Sequence, residues 1–193
     1  ARLAGDLTAL NQSRKALTEK GKEEAIRIIE TTELKNDRVL VVYLPDCHES
    51  LAGIIAGRIR EKYHRPAFVL TGGETSAKGS GRSIESHSMY EELVKCADLM
   101  IQFGGHPMAA GLSIEEKNIE EFRRRLNVNC TLTDEELRPK IVIDVPMPVS
   151  YITKELVEQI SLLEPLEKGI QNRSLRRKIS ECLITVLSGK IKM

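Results

Sequence analysis

Residues 104–113 have the sequence Gly-Gly-His-Pro-Met-Ala-Ala-Gly-Leu-Ser, and this pattern indicates a functional site. Two glycines before His106 permit positive backbone φ and let a ligand's oxygen atoms approach main-chain N–H groups. The small residues Ala109, Ala110 and Gly111 allow close packing beneath the segment, which would hold the histidine in place. We therefore predict a binding or catalytic loop at His106. A tight turn with a surface histidine is the alternative that this segment alone leaves open.

A second glycine-rich segment, Lys78-Gly79-Ser80-Gly81-Arg82-Ser83, precedes it. Its glycines expose backbone amides, and its two serine hydroxyls can donate hydrogen bonds. The Arg82 guanidinium can bind phosphate oxygens with two parallel hydrogen bonds, and Lys78 adds a positive charge. These groups predict a phosphate-binding strand or loop, with a polar linker as the open alternative.

The composition excludes several classes of protein. The chain has 193 residues, a net charge of +1 and 4% aromatic residues without tryptophan, so polyanion binding would need a local patch and base stacking has few platforms. Four scattered cysteines without a C-x-x-C pair fit a reducing cytosol better than a disulfide framework or a zinc site. No apolar run is long enough to span a membrane, and no signal-peptide pattern is present. We expect a soluble cytoplasmic protein with no membrane partner.

Hydrophobic patterning predicts alternating strands and helices, and hence an α/β fold. Residues 38–44 are an apolar, β-branched run typical of a strand buried on both faces. With a helix predicted over residues 51–63, capped by Ser50, and a strand over residues 67–70, this run forms a β-α-β unit. His48 lies at the strand-to-helix junction, where ligands bind in open α/β sheets. A capping or solvated role for His48 is also open.

The remaining elements are predicted more simply from their periodicity. Helices are predicted over residues 1–31, 90–101, 118–126 and 153–163, and strands through residues 112–114 and 140–145. Residues 127–139 are polar and lack periodicity, which predicts a linker. The first helix carries an apolar stripe that needs a partner surface, either on its own domain or elsewhere.

Several stretches, in this order, resemble the C-terminal part of the RecJ family, single-strand-specific 5′→3′ DNA exonucleases of the DHH phosphoesterase superfamily. Residues 47–56 resemble the family's W-H-x-G-V-x-G-I-V-A, but Cys47 replaces the aromatic residue and Ser50 replaces a glycine. Other matches are Leu10-Asn11-x-x-Arg14 with Glu23-Glu24-Ala25, Gly79–Ser83, Phe103–Gly111, Ile143-Asp144, the helix from Ile152, and Leu163-Glu164-Pro165-Leu166. The resemblance covers about residues 1–166.

The resemblance implies an arrangement of domains along the chain. A long interdomain linker helix precedes a DHH-associated, substrate-binding domain with a mixed β-sheet flanked by helices, and the start of an oligonucleotide-binding (OB) domain follows. The implied limits are residues 1–34 for the linker helix, 35–127 for the DHH-associated domain, 128–139 for a linker and 140–166 for the start of the OB domain.

The resemblance also implies an activity in DNA repair and recombination, with single-stranded DNA as substrate. In this family a catalytic DHH domain holds two Mn²⁺ or Mg²⁺ ions. No Asp-His-His triplet occurs in this sequence. We therefore expect the DHH domain of the same protein to be missing here and this chain to bind no metal. Since it would supply only one side of the cleft, we expect it to be inactive by itself.

Roles for individual residues follow from the same resemblance. Ser80 and Arg82 match positions that contact the phosphate at the 5′ end of the strand. His106 matches a histidine that faces the metal cleft, where it could hydrogen-bond the scissile phosphate. Further phosphate contacts are implied for the main-chain amides of Gly104 and Gly105 and for the side chains of Lys78, His48 and Arg58.

The sequence after about Glu167 departs from the family. Relatives continue with Gly-x-Gly-Asn, whereas this chain has Glu167-Lys168-Gly169-Ile170-Gln171-Asn172. Permitted codons for residues 167–178, read one nucleotide earlier, can encode Gly-Lys-Gly-Asn-Thr-Lys-Pro-Val-Phe-Ala-Glu-Lys, which suits an OB domain. We infer that residues 167–193 are a frameshifted, non-native tail, a hypothesis that the encoding nucleotide sequence tests.

Two other functions compete with the exonuclease. An oligoribonuclease or cyclic-dinucleotide phosphodiesterase of the DHH superfamily also pairs a DHH domain with a Gly-Gly-His domain, but lacks an OB domain. A non-catalytic nucleic-acid-binding module, like the related domain of alanyl-tRNA synthetase, is the second alternative. The long linker helix and the Leu163–Leu166 junction argue against the first, and the combination of Arg82 with His106 argues against the second.

Overall fold

The computed structural model describes residues 2–139 and 151–162. The chain divides into a unit of residues 1–140 and a second unit of residues 141–193. The described part of the second unit contains one helix, Lys154–Ser161, inside the predicted range of 153–163. The predicted strand at 140–145, the Leu163–Leu166 junction and the tail lie outside the described residues.

The first unit contains a five-stranded mixed sheet. Its strands follow the order β1-β2-β3-β5-β4, in which β1 and β2 are parallel and all other neighbours are antiparallel. This sheet, with helices on both faces, confirms the predicted α/β class. The elements are α1 Arg2–Thr31, β1 Leu40–Leu44, α2 Glu49–Tyr63, β2 Ala67–Thr71, β3 Ala77–Arg82, α3 Met89–Val94, β4 Met100–His106, β5 Ala109–Ile114 and α4 Ile119–Asn129, with α5 Lys154–Ser161 in the second unit.

The sheet separates two hydrophobic cores. Alternate residues of β1 enter opposite cores, as the unbroken apolar run predicts for a strand buried on both faces. One core joins the sheet to α1 and α2, and the other joins it to α3 and α4. In the second core the Phe68 and Phe122 rings meet edge to face, with centroids 5.4 Å apart.

The histidine segment is a strand rather than the predicted loop. β4 and β5 form an antiparallel hairpin in which Pro107 and Met108 make the turn, so His106 is the last residue of a strand. The preceding helix, predicted over residues 90–101, ends at Val94, and β4 already begins at Met100. Pairing with β5 supplies hydrogen bonds that the local helical pattern does not reveal, and these tertiary contacts override it.

Only the second half of α1 packs against the sheet unit. Ala25 and Ile29 are fully buried, whereas the stripe from Leu3 to Leu17 is exposed, with Leu3 at 79%. No helix in residues 2–139 or 151–162 is long and apolar enough to cross a membrane.

The two glycines of the hairpin differ in what a side chain would meet, which gives a stability test. Gly105 has φ +150°, and an added Cβ would collide with the Ala109 carbonyl oxygen. An added Cβ at Gly104 would meet nothing within 4 Å. We expect Gly105→Ala to lower the free energy of unfolding by about 2 kcal/mol or more. Gly104→Ala is the control and should change it by less than about 0.5 kcal/mol.

Denaturant unfolding of the two variants measures this difference. Equal unfolding midpoints for the two alanine variants would contradict the assigned backbone of the hairpin.

Candidate functional site

Strand register brings alternate residues of the two glycine-rich segments onto the same face of the sheet. β5 lies between β3 and β4, and residues directly opposite one another in antiparallel strands share a face. Three cross-strand rows result: Arg82 with Ala109 and His106, Ser80 with Gly111 and Gly104, and Lys78 with Ser113 and Gln102. Five of the predicted site residues therefore lie in adjacent rows: Lys78, Ser80, Arg82, Gly104 and His106.

The intervening residues of β3 face the core formed with α3 and α4. An added Cβ at Gly81 would lie 2.5 Å from the Met89 sulfur and 2.6 Å from the Phe68 ring. A Cβ at Gly79 would press on Leu112 and Leu70, at 3.1 and 3.2 Å. These two glycines are therefore explained by packing, and Lys78, Ser80 and Arg82 lie on the opposite face of the strand.

The outward glycines have a different explanation. A Cβ at Gly111 would meet only the Gly79 carbonyl oxygen, at 3.8 Å, and one at Gly104 would meet no atom within 4 Å. Both residues line an open groove of about 510 Å³. Packing does not require glycine at either position, but close approach of a ligand to the backbone does.

Arg82 lies in a recess of α2. An added Cβ at Gly53 would lie 2.6 Å from Arg82 Nη2 and 2.9 Å from Ser80 Oγ, so the glycine makes room for both groups. Arg82 Nη1 donates to Ser80 Oγ at 3.1 Å and to the Gly81 carbonyl at 2.7 Å. Across residues 2–139 and 151–162 no carboxylate forms an ion pair with this guanidinium. The side chain is held in place while its charge is not neutralised, which suits an anionic ligand.

Lys78 is held differently. Its Nζ lies 2.6 Å from Glu49 Oε2, at the N-terminus of α2. The hydrogen-bonded ion pair raises the pKa of Lys78 and lowers the pKa of Glu49. Glu49 was not predicted as a site residue, because an acid in the first turn of a helix is also explained by the helix dipole. The pairing depends on β3 and α2 meeting in space, which no local pattern signals.

His48 caps α2, which is one of the roles that the sequence left open for it, and the predicted capping residue, Ser50, is wrong. His48 Nδ1 accepts a hydrogen bond from the Ser50 backbone N–H at 3.2 Å and lies 2.8 Å from Ser50 Oγ. An imidazole nitrogen thus satisfies a free N–H of the first helical turn, a task that a serine hydroxyl usually performs. His48 lines a second groove, of about 680 Å³, at the carboxyl ends of β1 and β2.

The structure therefore separates the predicted site residues into groups. His106 is exposed at the end of β4, two strand spacings or about 10 Å from Arg82. Gly105 belongs to the same hairpin, but its conformation is required by the fold. Arg58 pairs with Glu61 at 3.1 Å and does not line either groove.

Comparisons with known proteins assign this fold to a family. Residues 36–131 match the DHHA1 domain, and this range contains all five strands and both glycine-rich segments. The chain therefore belongs to the DHHA1 domain family. Several relatives that it matches beyond this domain are RecJ proteins, which confirms the resemblance inferred from the motifs.

The match to RecJ covers most of this chain. It is 35% identical over 167 residues to the single-stranded-DNA-specific exonuclease RecJ of Bacillus subtilis, covering 84% of this chain and 21% of the relative. Identity to RecJ of Salmonella typhimurium is 37% over 166 residues, 81% of this chain and 29% of the relative. The chain thus spans between about a fifth and a third of the length of these curated relatives.

Solved structures agree with the sequence comparison. RecJ of Thermus thermophilus in complex with Mg²⁺ superposes with a TM-score of 0.65 at 28% identity, covering 85% of this chain and 25% of that chain. An exonuclease RecJ bound to manganese gives a TM-score of 0.56 at 31% identity, covering 66% and 31%.

The recess at Gly53 can be tested without a ligand. In Gly53→Ala the new methyl group would collide with the Arg82 guanidinium, and we expect the Arg82 Nε–H signal in an NMR spectrum to shift. Gly57→Ala is the matched control, because its Cβ would lie 4.0 Å from Arg82 Cγ, an ordinary contact. Both substitutions raise helix propensity by about 1 kcal/mol, so neither should unfold α2. An Arg82 signal that stays unchanged in Gly53→Ala would refute the recess.

Proposed function

We propose that this chain is the substrate-binding part of a RecJ-type 5′→3′ single-stranded-DNA exonuclease, which acts in the cytoplasm in DNA repair and recombination. The observation that carries the proposal is the row formed by Arg82, Ala109 and His106, which lies next to the row that contains Gly111 and Gly104. The Arg82 guanidinium has no carboxylate partner among the described residues and the His106 imidazole is exposed. In the neighbouring row, Gly104 and Gly111 line the open groove. This arrangement suits a strand whose 5′-terminal phosphate is bound at Arg82 and whose scissile phosphate lies near His106.

The dimensions of the face fit a strand rather than a single phosphate. Successive rows along β3 are about 7 Å apart, so the row of Arg82 and the row of Lys78 are separated by about 14 Å. The Arg82 guanidinium and the Ser80 hydroxyl would hold the 5′-terminal phosphate, which carries more charge than an internal one. Lys78 would contact a phosphate further along the strand.

His106 would hydrogen-bond the scissile phosphate and offset the negative charge that develops during cleavage. The Gly104 backbone can approach the same oxygens because no side chain covers it. His48 belongs to the other groove, and in this proposal its first role is to cap α2.

The metal chemistry would be supplied elsewhere in the parent protein. Solved RecJ structures contain Mg²⁺ or Mn²⁺. In residues 2–139 and 151–162 no three His, Cys, Asp or Glu side chains are placed to hold a metal ion, so the described residues do not offer that site. We propose that a DHH domain of the same protein binds the ions and that this chain without it does not hydrolyse DNA.

The RecJ relatives support the exonuclease over the two alternatives. They match about four fifths of this chain, including part of the sequence beyond the DHHA1 domain. An oligoribonuclease or cyclic-dinucleotide phosphodiesterase would not account for that extension. We retain the linker helix, DHH-associated domain and OB start as the proposed domain order.

Binding of a 5′-phosphorylated oligonucleotide tests the proposal. Fluorescence anisotropy at low salt would compare short single-stranded DNAs with a 5′-phosphate or a 5′-hydroxyl. We expect the phosphate to strengthen binding and Arg82→Ala to weaken binding of the phosphorylated strand by about tenfold or more, since a charge-assisted contact is lost.

Arg124→Ala is the control for net charge. Arg124 lies on α4 and pairs with Glu121 at 2.7 Å, so its loss removes a positive charge outside the groove. It should leave the affinity within about twofold of the wild type. Equal binding of the two oligonucleotides, insensitive to Arg82→Ala, would refute the 5′-phosphate site and favour a general nucleic-acid-binding module.

A further inference from the structure

The ion pair between Lys78 and Glu49 lies at the boundary of the two grooves. Both side chains line the groove on the sheet face, and both also line the groove at the carboxyl ends of β1 and β2. Among the residues that line the sheet-face groove, Glu49 is the only acid and Lys78 the only base. The charge of this end of the groove therefore depends on one pair.

The pair is accessible to solvent and can exchange partners. The Lys78 side chain is 54% exposed and that of Glu49 is 52% exposed. Ion pairs at this exposure contribute little net stability, because water and salt compete for both partners. A phosphate entering the groove can therefore replace the Glu49 carboxylate on Lys78 without opening the fold.

We propose that Glu49 is an internal competitor for the second phosphate contact and thereby sets how tightly the groove holds the strand beyond its 5′ end. This inference rests on the proposed function of the groove. Arg82 has no carboxylate partner among the described residues, whereas Lys78 must release one before it binds a phosphate. The 5′-terminal phosphate would be bound tightly at Arg82, and the phosphate further along the strand would be bound weakly at Lys78.

The exchange has a signature in the salt dependence of binding. A free lysine that neutralises a phosphate releases a counterion from the DNA, which makes the affinity fall more steeply with salt. When Lys78 leaves Glu49 for a phosphate, the exposed carboxylate takes up a cation and offsets that release. The Lys78 contact should therefore add little to the salt dependence as long as Glu49 is present.

Glu49→Gln removes the competitor and keeps the size of the side chain. For a 5′-phosphorylated oligothymidylate, we expect about two- to fivefold tighter binding at low salt, the range typical of one exposed charge pair. The slope of log affinity against log salt should steepen by about 0.7, the value for one additional phosphate contact on a single strand. The mononucleotide 5′-phosphate, which occupies only the Arg82 end, should bind almost as in the wild type.

Glu24→Gln is the matched control. Glu24 pairs with Arg27 on α1 at the same 2.6 Å and is 46% exposed, so the variant removes an equivalent charge outside the grooves. It should reproduce neither the gain in affinity nor the change in slope. Introducing Lys78→Met into Glu49→Gln should cancel the gain in affinity. In the wild type, the same substitution should weaken binding by a smaller factor than it does in Glu49→Gln.

The outcomes separate this inference from the proposed function. If Glu49→Gln binds no tighter than the wild type, or if Glu24→Gln gives the same gain, Glu49 does not compete for the strand. If Lys78→Met leaves the gain in Glu49→Gln intact, the effect does not act through Lys78 and the inference fails. The loss of affinity in Arg82→Ala is measured independently of Glu49. The 5′-phosphate site can therefore be supported even when the Glu49 inference fails.

Discussion

The antiparallel pairing of β3 with β5 is the constraint on which the site depends. Because side chains alternate between the faces of a strand, this one register places Ser80 and Arg82 on the face towards Gly53 of α2 and both neighbouring glycines against the core. A slip by one residue would exchange the two sets and put the guanidinium under Phe68. The tight contacts of Gly81 with Phe68 and Met89 oppose such a slip, so core packing fixes the geometry of the groove.

Helix α2 contributes to the site because Gly53 has no side chain. Without a side chain at Gly53, the helix approaches β3 closely enough to hold Arg82 against Ser80. The same helix brings Glu49 to Lys78 one turn earlier. Helix α2 thus neutralises Lys78 and leaves Arg82 without a carboxylate partner among the described residues, so the two rows differ in charge although each carries a basic residue.

Charge alone does not distinguish Arg82, the proposed phosphate-binding residue, from the other arginines. Residues 123–125 form a run of three arginines on α4, yet each is paired with a carboxylate from α4 or from a neighbouring segment. Arg82 has no neighbouring arginine in the sequence and no such carboxylate partner among the described residues. With a net charge of +1, the chain has no general attraction for nucleic acid, so its affinity would depend on these local groups.

The sequence by itself determined the α/β class, the β-α-β unit and the two glycine-rich segments with their family resemblance, since burial patterns and glycine spacing are local properties. It favoured Ser50 as the cap of α2, with capping by His48 as an open alternative, and it described the His106 segment as a loop, because a strand made by hairpin pairing leaves no local signature. Only the tertiary structure decided that Arg82 and His106 share a row, whereas His48 lines the groove at the carboxyl ends of β1 and β2. It also revealed Glu49, because ion pairs and shared faces arise between segments distant in the chain, and their register and packing exist only in the folded protein.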